Sequence, residues 1–339
     1  MSKFLATFFL LFSIQASFGN QTPTMSETDC SDTDIRDTNP NIKKSPLLKN
    51  HFSTPRNQDS VGWCYAFTAA DLATAEIGVP ISAMHTSAMY NRSIYVSDED
   101  RISKDMERVF AKGRYKEIYE GGWAQDAINV ISKQGWVCSE KGLPFDAQKP
   151  ELIDDLIKGL EALKLKASND ALSAELVCKE VSNLLTPYEI MSSEVEDIAN
   201  SLVTQNLNIT MERFSRIACK EAVKTIPHLK IEKVEKPKIE SFFGKQKYFQ
   251  QLNTNLDKGK PIAVDYQLDT ITGQKGVHAG LITGRRWKNG VCQYKIRNTW
   301  GESCGSYKKS IECVKSEGSF WVSHEIMYDA SLNLHYISN

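Results

Sequence analysis

Little in this chain points toward a charged or lipid partner. Its 339 residues carry a formal net charge of −1, too small a balance of either sign to hold a nucleic acid or an anionic membrane surface. It has no internal repeat and no low-complexity tract. Beyond the N-terminus no apolar run is long enough to span a bilayer, so no membrane association is expected. Histidine is scarce, six in all, and no residue set is assigned to a metal or a cofactor. With 41% hydrophobic residues the chain can bury a large core, and two lobes plus a helical insertion are expected.

The N-terminus carries an address. Lys3 precedes the apolar run Phe4 to Phe12, which is too short to span a bilayer, and Ser17 and Gly19 suggest cleavage near Asn20. Residues 1–19 are read as a signal peptide and 20–50 as an N-terminal extension. The product is expected to be exported, whether secreted, periplasmic or in a lysosome-like compartment.

The most informative segment is Gln58-Asp59-Ser60-Val61-Gly62-Trp63-Cys64. Gly62 lets the backbone turn tightly, so the Gln58 amide can reach the same point as the backbone N–H of Cys64. Two such donors make an oxyanion hole. The largely apolar run from Ala66 to Ile77 reads as a helix that stops at Gly78 and Pro80. Cys64 therefore sits at a helix N-terminus, where partial positive charge favours a thiolate. A base is still required. His278 lies in the strand-like Val277-His278-Ala279-Gly280-Leu281-Ile282, and a second strand ends at Asn298-Thr299-Trp300-Gly301. Asn298 can orient the imidazole while Trp300 shields that bond. Nucleophile, base and orienter are then all present.

On these motifs the chain resembles the papain-like cysteine peptidases, whose Cys signature and distant His and Asn are a known sequence pattern. The resemblance implies an α+β, two-lobed fold with a helical N-terminal lobe and a β-rich C-terminal lobe, and a peptide or protein as substrate. It implies Cys64 as nucleophile, His278 as base, Asn298 as orienter and Gln58 as oxyanion donor. Gly121-Gly122 resembles the glycine pair that meets the substrate backbone, where the missing Cβ allows close approach. Lys260 to Asp265 resembles the strand lining the pocket for the second residue before the scissile bond. This puts Asp265 at the pocket wall beside Ala279, and Trp300 near the substrate. Strand alternation leaves open that Asp265 instead points to solvent or to a neighbouring Lys. Two other readings share the fold: a peptide-binding protein without catalysis, and a cysteine acyltransferase that passes the acyl group to an amine.

The departures are also informative. Val61 stands where many relatives carry a disulfide cysteine, Trp63 replaces a residue that is often small, and Tyr65 replaces a tryptophan. His278 and Asn298 lie far beyond the roughly 130–150 residues after the Cys that the family spacing gives. Helical periodicity from Pro150 to about Lys224 supplies the difference and predicts three or four amphipathic helices. Residues 51–150 are thus read as the helical lobe, 151–230 as the insertion and 231–339 as the β-rich lobe, with strands at Pro261–Leu268, Val277–Gly284, Cys292–Arg297 and Gly318–Val322. The basic stretch Lys230 to Lys238 reads as a solvated linker. The insertion is expected to act as a lid or docking surface and to meet a protein partner. Of eight cysteines, seven remain after the nucleophile, so at most three disulfides form; Cys178 with Cys219 and Cys304 with Cys313 are the expected pairs. Asn91-Arg92-Ser93 and Asn208-Ile209-Thr210 fit glycosylation acceptors.

Overall fold

The computed structural model describes residues 25–97, 115, 117–143, 151–169, 172–224, 226–237 and 242–338. The expected signal peptide lies outside them. Helix α1 (Cys64–Ile77) is the axis of the helical lobe, and every residue from Tyr65 to Ala75 is buried. A helix apolar on all sides must be covered on all sides. Here the cover comes from α2 (Ala83–Ser97), from α3 (Ala124–Gln134) and from the sheet. Gly78 ends α1 in the left-handed region at φ 83°, its N–H bonding the Thr74 carbonyl, a conformation that glycine adopts without a Cβ penalty.

The β-rich lobe is one antiparallel sheet in the order β4-β10-β5-β6-β7-β9-β8. Its strands are β4 (Ile231–Lys233), β5 (Ile262–Gln267), β6 (Val277–Lys288), β7 (Val291–Arg297), β8 (Glu312–Val314), β9 (Ser319–Ser323) and β10 (Ser331–Ile337). The four expected strands appear, within a few residues of their expected bounds. The α+β expectation, a helical lobe beside an antiparallel lobe, matches the structure. The chain before Cys64 is woven into the second lobe: β1 (Thr33–Asp34) pairs with β6, and Cys30 is disulfide-bonded to Cys292.

The insertion folds as four helices, α4 (Glu151–Ser168), α5 (Ala174–Leu185), α6 (Ser192–Thr204) and α7 (Leu207–Ile217). Their buried stripes include Leu156 and Leu160, Val177 and Val181, and Phe214. Helix α7 packs on α2, and after it β3 (Ala222–Lys224) pairs with β2 (Trp136–Cys138). The insertion is therefore seated on the helical lobe.

Three expectations change. Cys219 bonds to Cys138, not to Cys178, which is a free thiol half-buried on α5; the β2–β3 pairing brings Cys138 to the end of α7, whereas Cys178 is held on the preceding helix pair. Cys304–Cys313 forms as expected. The stretch read as a linker contains β4, an edge strand paired with β10, and its lysines and glutamates are the charges that keep an exposed edge from pairing further. Neither sequon is open to a glycan. The Asn91 amide donates to the Tyr119 carbonyl and the Asn208 amide to the Glu117 carbonyl, and both residues are buried.

Candidate active site

Cys64 opens α1 with no side-chain cap ahead of it. Across the junction between lobes stands β6. The backbone N–H groups of Ala279, Tyr65 and Cys64 itself favour the thiolate. Burial works against them and pushes the thiol up to about 11, with the Asp265 carboxylate adding to the rise. His278, the residue before Ala279, is also buried, and burial lowers it to about 4 against the opposing hydrogen bond from Asn298. Each member alone therefore favours its neutral form. A resting thiolate–imidazolium pair, as the helix start suggests, has to be stabilised by the attraction of the two charges for each other.

The orienting bond is in place. His278 Nε2 lies 2.7 Å from Asn298 Oδ1, which fixes the hydrogen on Nε2 and leaves Nδ1 as the basic nitrogen. Asn298 is itself held, its Nδ2 donating to the Tyr307 hydroxyl at 2.5 Å. The Trp300 ring sits 4.6 Å from the imidazole, tilted by 40°, and excludes water from this side. Tyr307 was not legible from the sequence.

Gln58 is pinned at both ends of its amide. Its Oε1 accepts from Thr299 Oγ1 at 2.5 Å, and its Nε2 donates to the Val61 carbonyl at 2.8 Å. One N–H of the amide remains beyond that bond. Thr299, next to Asn298, thus ties Gln58 to Asn298.

Gly121 adopts φ 95° and gives its N–H to the Gly62 carbonyl at 2.8 Å. That N–H is committed within the protein. A Cβ on Gly122 would come within 2.6 Å of the Tyr90 ring, which requires glycine there. The preceding residues are held by the insertion: Leu207 N–H and Lys164 Nζ both bond the Glu117 carboxylate, at 2.9 and 2.6 Å, and Asn208 bonds the Glu117 carbonyl. The insertion therefore buttresses the loop that carries the glycine pair.

Asp265 is 4% exposed and faces neither solvent nor a surface Lys alone. It lines a cavity of about 290 Å³ at the lobe junction with Trp123, Gln125, Asp126, Lys233, Asn333 and His335. Register explains the position, since Asp265 pairs with Ala279 on one side and Asn333 on the other. Burial raises its carboxyl to about 7; the Asn333 hydrogen bond opposes the rise and the Asp126 charge adds to it. Asp126 and His335 were not singled out by sequence reading, because they reach the pocket only through the fold.

Among the described residues no group of three or more His, Cys, Asp or Glu side chains is arranged to hold a metal ion, and no helix is long and apolar enough to cross a membrane.

No protein-family model and no curated protein matches the chain. A solved structure from work on antibody cross-reactivity between the mite allergens Blo t 1 and Der p 1 aligns over 97% of this chain and 77% of its own, at 12% identity and a TM-score of 0.43. The digestive procathepsin L 3 of Tenebrio molitor larval midgut aligns over 95% of this chain and 74% of its own, at 12% identity and a TM-score of 0.42. At such values neither likeness adds to what the chain's own geometry supports.

Proposed function

We propose that this chain is a cysteine peptidase that cleaves peptide bonds through an acyl-enzyme on Cys64. The observation that carries the reading is the His278–Asn298 bond, with the next backbone N–H after His278, that of Ala279, favouring the Cys64 thiolate. His278 Nδ1 takes the thiol proton as the sulfur attacks the substrate carbonyl. The oxyanion that forms accepts from the Cys64 N–H and the remaining N–H of the Gln58 amide. His278 then protonates the leaving amine, the C–N bond breaks, and water releases the acyl group from sulfur.

The cavity at Asp265 supports a specificity. A buried carboxylate is costly unless paired, so the side chain of the second residue before the scissile bond would be basic or hydrogen-bonding. The three disulfides support an exported protein in an oxidising compartment.

Mass spectrometry of peptide products, with and without an added amine, tests the proposal. Hydrolysed products that stay unchanged at high amine concentration are expected. Products carrying the amine would favour an acyltransferase, and no acyl-enzyme at all would favour a peptide-binding protein.

A further inference from the structure

One carboxylate inside the helical lobe has no part in the chemistry above yet lies on the helix of Cys64 and bonds the segments that carry Gln58 and Asn298. Asp71 lies on α1 seven residues after Cys64, about two helical turns, and is 2% exposed. Its Oδ2 accepts from Arg297 Nε at 2.8 Å. Its Oδ1 accepts from Arg56 Nη1 at 2.7 Å and lies 2.8 Å from His51 Nε2. Arg297 is the residue before Asn298 and Arg56 stands two before Gln58. The remaining nitrogens of Arg297 donate to the carbonyls of His51, Phe52 and Thr54. Glu140 closes the cluster, 3.2 Å from His51 Nδ1 and 3.3 Å from Arg56 Nη2.

We propose that Asp71 is a positioning residue that holds the Cys64 helix in register with Asn298, through Arg297, and with Gln58, through Arg56. A buried ion pair is a poor source of stability, because desolvation offsets the attraction; its directional bonds fix geometry. Cys64 belongs to the helical lobe and the His278–Asn298 pair to the sheet, so their alignment depends on what joins the lobes. Arg297 provides one such join, its guanidinium bonded to α1 and to three carbonyls of the N-terminal chain and its backbone continuing into Asn298. Burial opposes ionisation of the Asp71 carboxyl, but the neighbouring Arg297, Arg56 and His51 hold it well below the usual carboxylate range.

The inference rests on the peptidase reading, and its test separates the two. In full-length Asp71→Asn, kcat should fall about 10–100-fold, the cost of a misplaced catalytic group, with KM within about twofold because Asp71 meets no substrate. Combined with Asn298→Ala, the double variant should be little slower than Asn298→Ala alone. Unchanged kcat, or two losses that multiply in full, would overturn the proposal. Should Asp71→Asn fail to fold, Arg297→Lys carries the same test, since it keeps the charge and loses the bridging fork. Alkylation of Cys64 by iodoacetamide needs no peptide. It should be about tenfold slower at mildly acid pH in the variant than in wild type, and equal pH–rate profiles would overturn the positioning role even if no peptide substrate is found. A wild type inert to peptides with a normal alkylation profile would sink only the peptidase reading.

Discussion

Asp265 gives the specificity of the proposed pocket a pH dependence that can be worked out in advance. Burial raises its carboxyl to about 7, so the group is mostly neutral on the acid side and mostly charged on the basic side. With a midpoint near 7, the ionised fraction climbs from about one tenth at pH 6 to about nine tenths at pH 8, close to a ninefold change. Only the ionised form attracts a basic side chain. The free-enzyme titration appears in kcat/KM, and the titration of Cys64 and His278 is common to all substrates. The ratio of kcat/KM for two peptides that differ only in Arg or Leu at the second residue before the cleaved bond therefore isolates Asp265. It should rise about eightfold to tenfold between pH 6 and 8. Asp265→Asn should flatten it. In Asp126→Asn the midpoint should move down, because the Asp126 charge contributes to the rise. Lys233 and His335 share the cavity; burial and the Lys233 charge lower His335 to about 4, below this window. A ratio that stays flat in wild type, or rises equally in Asp265→Asn, would refute the assignment of the carboxylate to the pocket.

Cys64→Ala should abolish turnover, and Gln58→Ala should lose on the order of 10²–10³ in kcat, as for other single oxyanion donors; full activity in Cys64→Ala would end the peptidase reading. Phe214, fully buried on α7 against Tyr188, should cost about 3–5 kcal/mol when truncated to Ala, read as a shift of one denaturation transition for the whole chain; a separate early transition with activity retained would show an insertion independent of the lobes. Denatured but unreduced protein should show two free thiols, Cys64 and Cys178, and a peptide map should join Cys138 to Cys219; a Cys178–Cys219 peptide would contradict the packing of the insertion.

The sequence revealed the parts of the site that depend on local chemistry and hid those that depend on contacts far apart in the chain. Cys64 before an apolar run, and Asn298 closing a strand after His278, are local signals and stand where expected. Gly78 stops the helix for the reason its residue type implies. Asp265 could be placed on a strand from its neighbours, but its pocket is completed by His335, which the sheet order brings near, and by Asp126, which the packing of α3 on β5 brings near. Strand β4 was masked because its charges read as solvation, which is also what an edge strand requires. Helix α8 (Phe242–Asp257) went unread in a lobe expected to be strand-rich, its polar glutamines and asparagines blurring the apolar face. Cysteine pairing is not set by spacing, so Cys178 was joined to the wrong helix pair. Asp71 left one trace, a lone acid within the apolar run of α1, and its meaning appears only when Arg56 and Arg297 converge on it.

The most direct test of the central claim is labelling with an epoxide-type cysteine probe followed by peptide mapping, with Cys178 as an internal control. Both thiols are free and half-buried, but only Cys64 opens a helix that packs against the strand carrying His278. Label confined to Cys64, and lost in His278→Ala, is the predicted result. Equal labelling of Cys64 and Cys178, or labelling of Cys64 that His278→Ala leaves unchanged, would contradict an activated nucleophile.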